Sequence, residues 1–182
     1  EIEEMDPHVS DTDAVRSSIG QGTNNYAPVQ LARYVTTIAN EGNCYDLTLV
    51  NEIKNIDGRT VYKSDNVPKN TVDLTDSQWA VIKQGMRQMV SEHTSPSALI
   101  NQINVNVAGK TGTAEEDTTR PDHALFVSFA PYENPEVSVT CVIPHGYTSG
   151  NAEELAGMVY AYMYDPDKLD TLDITGNNQM SD

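Results

Sequence analysis

The sequence predicts an α+β fold, in which helices flank an antiparallel β-sheet. Two stretches with the spacing of amphipathic helices come first in the chain. Three consecutive β-rich stretches follow them, and another helical stretch comes last. The last two strands are joined by a tight turn, which pairs them antiparallel. Helices and strands that are grouped in this way pack as helices against an antiparallel sheet.

The composition is that of an acidic polypeptide with a core of moderate size. The chain has 182 residues, which suits one domain or part of a larger one, and 27 acidic against 11 basic residues give a formal net charge of -16. The basic residues are scattered, so the sequence excludes a nucleic-acid-binding surface, which needs clustered Lys and Arg. No stretch of about 18 apolar residues is present to form a transmembrane helix.

The first residues are typical of a chain cut from a longer protein. The stretch "EIEEMDPHVSDTDAV" (1–15) is acidic and polar, unlike a signal peptide, and it does not begin with Met. We expect 1–15 to be a loop within a flexible segment over 1–16. The Gly- and Asn-rich stretch "SSIGQGTNN" (17–25) predicts a turn.

The first two helices and the hairpin between them have clear signals. Pro28 is tolerated in a first helical turn, apolar residues recur at helical spacing after it, and Gly42 ends the pattern, which predicts a helix over 28–40. Asp57-Gly58 between two β-rich runs predicts a hairpin. Thr75 or Asp76 is a plausible N-cap for a second helix over 76–91. Its predicted apolar stripe is Trp79, Ile82, Met86, Met89 and Val90, and residues 95–102 are predicted to contain a short helix.

Three strands are predicted next, over 104–114, 123–131 and 136–144. The turn "YENP" (132–135) joins the last two. By period 2, one face of the last strand carries Val137, Val139, Cys141 and Ile143.

The last helix is predicted over 151–165, with Asn151 as its N-cap. Its inward-facing residues are predicted to be Leu155, Met158, Val159 and Tyr162. The polar tail over 166–182 has too few apolar residues to pack firmly. Two positions do not establish a disulfide, so Cys44 and Cys141 are predicted to be free thiols.

The stretch Lys110-Thr111-Gly112-Thr113 has the composition of an anion-binding strand end. The Lys110 ammonium attracts a carboxylate, and the hydroxyls of Thr111 and Thr113 can hydrogen-bond the same group. Gly112 lacks a Cβ atom, so another backbone can approach the strand closely. Backbone N–H groups on such an edge can also hold an oxyanion. The alternative is a glycine-bearing strand end with a solvated lysine.

Four segments in the same order carry a resemblance to a known family. "VAGKTGTAE" (107–115) resembles the Lys-Thr-Gly strand of penicillin-binding proteins and serine β-lactamases. "SSIGQG" (17–22) and "APVQLARYVTTIANEG" (27–42) resemble the Gly-Gln-Gly segment and helix of class B penicillin-binding proteins, and "HALFVSFAPYENPEVSVTCVIPHG" (123–146) resembles their next two strands. The resemblance spans 17–165 and is closest to the elongation-type transpeptidases. It implies the C-terminal portion of the penicillin-binding transpeptidase domain, in the serine β-lactamase/penicillin-binding fold.

The nucleophile of that family is the serine of Ser-x-x-Lys, and none of the six lysines here has a serine three residues before it. The Ser-x-Asn matches at 64–66 and 149–151 come after the Gly-Gln-Gly segment, whereas the family element precedes it. We therefore assign Ser64–Asn66 to a linker and 149–151 to helix capping. The resemblance places both missing elements upstream of Glu1, so the isolated chain is expected to be inactive.

The resemblance implies a D,D-transpeptidase that cross-links peptidoglycan by binding D-Ala-D-Ala stem peptides, and β-lactams in their place. It assigns Lys110, Thr111 and Thr113 to the carboxylate, counts Gly112 with them among the residues that bind substrate or β-lactam, and assigns the Thr113 N–H to the oxyanion hole. No cofactor and no metal are expected. It implies the extracytoplasmic face of the bacterial membrane, with an N-terminal anchor absent from this chain. Two alternatives stay open: a β-lactam sensor or non-catalytic binding module, and a serine β-lactamase.

The four histidines and one glycine-bearing turn are weaker candidates. His123 opens a strand beside that of Lys110, and His145 lies in a loop near the sheet end, where it can line the groove. His8 and His93 lack partners at metal-ligand spacing. The Gly20-Gln21-Gly22 turn is interpreted as support near the site. The resemblance also implies that upstream strands pair beside the strand over 136–144, whose edge is therefore expected to be bare here.

Overall fold

The computed structural model describes residues 11–22, 26–95, 98–115 and 118–171. Its α-helices are α1 Asp11–Ser17, α2 Pro28–Ala39, α3 Asp76–Gln88 and α4 Ser149–Tyr164. Its strands are β1 Asn43–Cys44, β2 Glu52–Lys54, β3 Thr60–Lys63, β4 Asn70–Thr71, β5 Ala108–Ala114, β6 His123–Ala130 and β7 Val137–Ile143. Three short turns complete the list: a π-helical turn Met89–His93 and two 3₁₀ turns, Leu99–Asn101 and Pro166–Thr171.

The predicted sheet of three consecutive strands is confirmed. Its order is β5-β6-β7 and both pairs are antiparallel, with Thr111 opposite Phe126 and Phe126 opposite Cys141. The first strand begins at Ala108, later than predicted. In the preceding segment, the Arg87 guanidinium of α3 donates to the Val107 carbonyl at 3.2 Å and to Asn106 Oδ1 at 3.0 Å. These acceptors, which were predicted to belong to the strand, are therefore bonded to α3.

Helices cover both faces of this sheet. On one face, α4 packs on the even-numbered residues of β6, and the largest buried side chains there are Phe126 and Tyr160. On the other face, α2 and α3 bury a smaller cluster, made of Val35, Ile38, Trp79, Met86, Ala108 and Phe129. The fold is therefore the predicted α+β arrangement.

The predicted loop over 1–15 is wrong for residues 11–15, which lie in α1; residues 1–10 lie outside the described part of the chain. Acidic residues at the start of this segment and Arg16 in its last turn complement the dipole of a helix, and this local charge pattern favours α1 over a loop. The predicted turn after it is confirmed over its described part, where Gly20 and Gly22 have positive φ angles of 79° and 95°.

The hairpin and the two helices around it match the prediction closely. Strands β2 and β3 pair antiparallel, and Gly58 turns between them at a φ of 78°. Thr75 is the N-cap of α3, since its hydroxyl accepts from the Gln78 N–H at 3.3 Å and Gln78 Oε1 accepts from the Thr75 N–H at 2.9 Å. One member of the predicted stripe, Ile82, is on the exposed side with 37% accessibility.

The predicted start of α4 is wrong, and of its predicted inner face only Met158 packs against the main core. The N-cap is Thr148, whereas Asn151 lies inside the helix and its Nδ2 donates to the Gly146 carbonyl at 2.8 Å. The buried side of α4 consists mostly of small residues with one large one, Tyr160. At Gly157 the helix packs closely on the first 3₁₀ turn, since a Cβ atom there would lie 3.2 Å from the Ile100 nitrogen. The buried residues are Ala152, Glu153, Ala156, Gly157, Tyr160 and Ala161, while Leu155, Val159 and Tyr162 are exposed.

The remaining predictions concern the tail, the cysteines and membrane segments. Leu169, in the 3₁₀ turn after α4, packs against the main core, so the tail packs further than its composition predicted; residues 172–182 lie outside the description. Cys44 and Cys141 are free thiols. Over the described ranges, no helix combines the length and apolar character needed to cross a membrane.

Candidate functional site

The residues of the Lys-Thr-Gly stretch lie along β5, at one edge of the central sheet. Strand β6 pairs with only one side of β5, and no other described strand pairs with its second side. Lys110 and Thr113 are exposed, and Thr111 and Gly112 are half-buried. The structure therefore brings the four predicted site residues to a single accessible strand edge.

The backbone of this edge points two carbonyl groups away from β6. The Thr113 carbonyl accepts a hydrogen bond from Gln21 Nε2 at 3.1 Å, and the Thr111 carbonyl accepts one from Lys110 Nζ at 2.8 Å. In an antiparallel strand, the N–H and C=O of one residue point to the same side. The N–H groups of Thr111 and Thr113 are therefore directed outward as well, where they can pair with an added strand or hold an oxyanion.

The side chains of the stretch divide between the two faces of the sheet. Lys110 stands opposite Val127 in the register, and Thr111 and Thr113 stand opposite Phe126 and Ala124. The two threonines therefore project toward the α4 face, and Lys110 projects toward the α2 and α3 face. This edge offers hydroxyls, outward N–H groups and one ammonium group within four residues, a set that suits a carboxylate next to a carbonyl oxygen.

Gly109 determines how closely β5 approaches the core. A Cβ atom at this position would lie 2.5 Å from Cζ of Phe126, which is fully buried. At Gly112 a Cβ atom would meet Leu125 Cβ at 3.4 Å, an ordinary contact. Packing thus explains Gly109, whereas the predicted role of Gly112 in the approach of another backbone stays a prediction.

A cavity of about 760 Å³ adjoins Thr111 on the α4 side. Apolar residues of the π-helical turn and the first 3₁₀ turn line one part of it. The first turns of α4 line another part and contribute Ser149, Glu153 and Glu154. The cavity thus connects the Lys-Thr-Gly edge with the beginning of the last helix.

Glu153 is a carboxyl group that the sequence did not single out. It is 8% exposed, and burial raises its pKa, which a hydrogen bond from Thr94 lowers in part. Thr94 Oγ1 lies 2.7 Å from Glu153 Oε1 and 3.3 Å from the Met89 carbonyl oxygen. The Thr94 hydroxyl has a single hydrogen, so it can donate to only one of these two oxygens at a time. Both contacts are hydrogen bonds when Glu153 is protonated: Glu153 then donates to Thr94 Oγ1, and Thr94 donates to the Met89 carbonyl.

The two candidate histidines stack against each other at the end of β5. Their ring centroids are 4.8 Å apart, and His123 pairs with Ala114 in the sheet register. The His145 N–H donates to His123 Nδ1 at 3.1 Å, and His145 Nδ1 lies 3.1 Å from the Pro121 carbonyl oxygen. These contacts fasten the loop after β7 to the start of β6, which gives both residues a structural role.

Of the other candidate groups, Ser64 lies away from the Lys-Thr-Gly edge and His93 lies beside it. Ser64 follows β3 directly, and its N–H donates to the Asn51 carbonyl at 2.8 Å, in a two-stranded sheet separate from the central one. His93 lines the cavity beside Thr111, and His8 lies outside the described residues. In the described ranges, no group of three or more His, Cys, Asp and Glu residues could hold a metal ion.

Comparison with known proteins points to one family. The family model described as "Penicillin binding protein transpeptidase domain" matches residues 4–163. Penicillin-binding protein 2B of Streptococcus pneumoniae serotype 2 is 34% identical over 142 residues, which are 72% of this chain and 21% of that protein. Peptidoglycan D,D-transpeptidase MrdA of Acinetobacter baumannii is 27% identical over 166 residues, which are 82% of this chain and 24% of that protein.

A solved structure agrees with these relatives. Penicillin-binding protein A from M. tuberculosis, in its imipenem acyl-enzyme complex, matches with a TM-score of 0.70 and 26% identity, over 81% of this chain and 33% of its own. This chain therefore spans between about a fifth and a third of the proteins that it resembles.

Proposed function

Because this chain belongs to the penicillin-binding protein transpeptidase family, we propose that it is part of a peptidoglycan D,D-transpeptidase and carries its carboxylate-binding strand. The observation on which the proposal rests is the free edge of β5. There, Lys110, Thr111 and Thr113 combine a positive charge, two hydroxyls and outward N–H groups.

The proposed substrate is a stem peptide that ends in D-Ala-D-Ala. Lys110 and the hydroxyls of Thr111 and Thr113 hold its terminal carboxylate, which places the penultimate D-Ala carbonyl along the strand edge. The Thr113 N–H donates to the carbonyl oxygen and stabilises the negative charge that develops on it during attack.

The proposed reaction needs a serine that these 182 residues do not supply in the family motif. That serine loses its proton to a base and attacks the carbonyl carbon, the terminal D-Ala leaves as an amine, and an acyl-enzyme forms. The amine of a neighbouring stem peptide then attacks the ester and releases the serine. A β-lactam follows the first step only, because its ring opens and the leaving group stays attached.

The proposal includes partners and a location for the whole protein. An upstream part of the same transpeptidase domain contributes the serine and pairs with the outer edge of β7. The enzyme acts on the extracytoplasmic face of the bacterial membrane, held by an N-terminal anchor.

Labelling with a fluorescent penicillin tests this function. We expect no covalent label on the 182-residue chain alone, and a label that survives denaturation on a longer protein that joins the family's serine element to this chain. Unlabelled penicillin should compete for the site. A labelled isolated chain would contradict the assignment of the nucleophile, and an unlabelled longer protein would contradict the proposed function.

A further inference from the structure

Gln21 contacts the Lys-Thr-Gly edge of β5 from the turn that ends α1, near the start of the described chain. Its N–H donates to the Arg16 carbonyl at 3.0 Å, and the Gly20 N–H donates to the Ser17 carbonyl at 3.0 Å. These are the two hydrogen bonds of a Schellman motif, in which the residue after the helix adopts a left-handed conformation. Gly20, with a φ of 79°, occupies that position, and Gln21 is the next residue.

The turn leaves Gln21 little freedom to move. Gly22 continues it with a φ of 95°, and a Cβ atom there would lie 3.2 Å from Arg16 Cβ. The backbone on both sides of Gln21 is thus constrained by glycine conformations that other residues rarely adopt. The Gln21 side chain extends from this constrained point and donates through Nε2 to the Thr113 carbonyl at 3.1 Å, across 92 positions of sequence.

The Thr113 carbonyl belongs to a peptide group that is held from both sides. Its other half is the Ala114 N–H, which faces β6 because Ala114 pairs with His123 and alternates with the outward Thr113. Gln21 therefore holds the outer side of a peptide group whose inner side is fixed by the sheet. The carbonyl and the N–H of Thr113 belong to different peptide groups, but both project from Thr113 toward the open side of β5. A displacement of Thr113 would therefore move its N–H as well.

We propose that Gln21 is a positioning residue for the reaction: it anchors the Thr113 carbonyl and thereby holds Thr113, with its outward N–H, in place at the oxyanion position. This inference rests on the proposed role of Thr113. It does not require Gln21 to touch the substrate.

The matched variants are Gln21→Met and Gln84→Met. Methionine keeps an unbranched side chain of similar length and removes the amide donor. Gln84 lies exposed on α3 and serves as the control for the chemical change. Thermal unfolding of both variants establishes whether the fold is kept.

The first measurement uses the 182-residue chain. NMR should detect a hydrogen-bond scalar coupling between Gln21 Nε2 and the Thr113 carbonyl carbon. Gln21→Met should abolish the coupling and shift the Ala114 amide resonance, while Gln84→Met changes neither. An unchanged Ala114 resonance in Gln21→Met would overturn the inference without touching the proposed function.

The second measurement uses the longer protein with the serine element. Gln21→Met should slow the first-order acylation step by about tenfold and leave the dissociation constant of the non-covalent penicillin complex within about twofold. Equal losses in both quantities together with a lower Tm would indicate a merely structural role and overturn the inference. If the unaltered longer protein is not acylated, the proposed function fails and the positioning role fails with it, whereas the NMR result still decides whether Gln21 holds the Thr113 carbonyl.

Discussion

Gly109 is the residue at which the central sheet leaves least room. The ring of Phe126 occupies the space that a side chain on Gly109 would need, at 2.5 Å from the position of a Cβ atom. Gly109→Ala forces the buried ring or the strand to move, which costs about 1–3 kcal/mol. Gly112→Ala is the matched control, because its Cβ atom would make only an ordinary contact at 3.4 Å.

Urea unfolding of the two variants measures the difference. The free energy of unfolding should fall for Gly109→Ala and stay within about 0.5 kcal/mol for Gly112→Ala, as expected for a substitution without a steric conflict. Equal destabilisation of the two variants would contradict the packing explanation.

Lys110 is expected to strengthen ligand binding through its attraction to the negative charge of the ligand. Lys110→Ala removes a charge-assisted contact to the carboxylate, worth about 1.5–3 kcal/mol, so non-covalent affinity for penicillin should fall by about tenfold or more. The penicillin methyl ester carries no negative charge, so its affinity should hardly change. Binding is measured by calorimetry on the longer protein, and an equal loss for acid and ester would contradict the assigned role of Lys110.

Sequence reasoning predicted the candidate site residues that are close together in the chain. Lys110, Thr111 and Thr113 stand within four positions on one strand, so their common edge follows from a local pattern. The contact between Gln21 and Thr113 joins residues that are 92 positions apart, and only the placement of the turn after α1 beside β5 determines it. Composition and periodicity carry no signal for such a pair.

At the scale of elements, Glu153 links the second turn of α4 to Thr94, the residue after the π-helical turn. Burial raises its pKa above the ordinary value of 4.5, so the folded state binds this proton more tightly than the unfolded state. The contribution to stability is fully present below pH 4.5 and is lost as the pH rises through the folded-state pKa. His93 and Glu154 are the other ionisable residues lining the same cavity, and none of the ion pairs among the described residues includes Glu153.

Glu153→Gln tests this linkage, since the amide can donate to Thr94 Oγ1 at every pH. The unfolding free energy of the variant minus that of the unaltered chain should grow as the pH rises from 4.5. Glu154→Gln, the neighbour on the rim of the cavity, serves as the control and should follow the unaltered chain more closely. A parallel pH dependence of Glu153→Gln and the unaltered chain would show that Glu153 does not titrate in this range.

The helices show where periodicity predicts an element and where packing overrides it. Helix α2 begins at Pro28 as predicted, because the rigid proline and the apolar spacing are local signals. In α4, the large residues Leu155 and Tyr162 were predicted to face inward, but the close approach to Ile100 requires small residues on the buried side. Side-chain size alone could not reveal that distance, because Gly157 meets Ile100 of a 3₁₀ turn that lies 57 positions earlier in the chain.

At the scale of the whole molecule, the outer edge of β7 is open. The backbone N–H and C=O groups of successive β7 residues point to alternate sides of the strand. Those of Val139 and Cys141 face β6, so those of Thr140 between them point outward. In the described part of the chain, no strand pairs with that side. The hydroxyl oxygens of Thr140 and Tyr164 are also buried without a hydrogen-bond partner there. Both features are expected where a neighbouring segment of a larger domain packs.

An exposed strand edge pairs readily with another chain. We therefore expect the 182-residue chain to self-associate with rising concentration, measured by sedimentation velocity. Thr140→Pro removes the outward N–H without removing a bond to β6, so it should shift the chain toward the monomer. Thr140→Val removes the same hydroxyl and keeps the N–H, so it should associate like the unaltered chain. If both variants associate to the same extent, contacts outside the β7 edge hold the copies together. If a longer protein that supplies the upstream strands stays monomeric at the same concentration, those strands cover the edge, as the proposed domain requires.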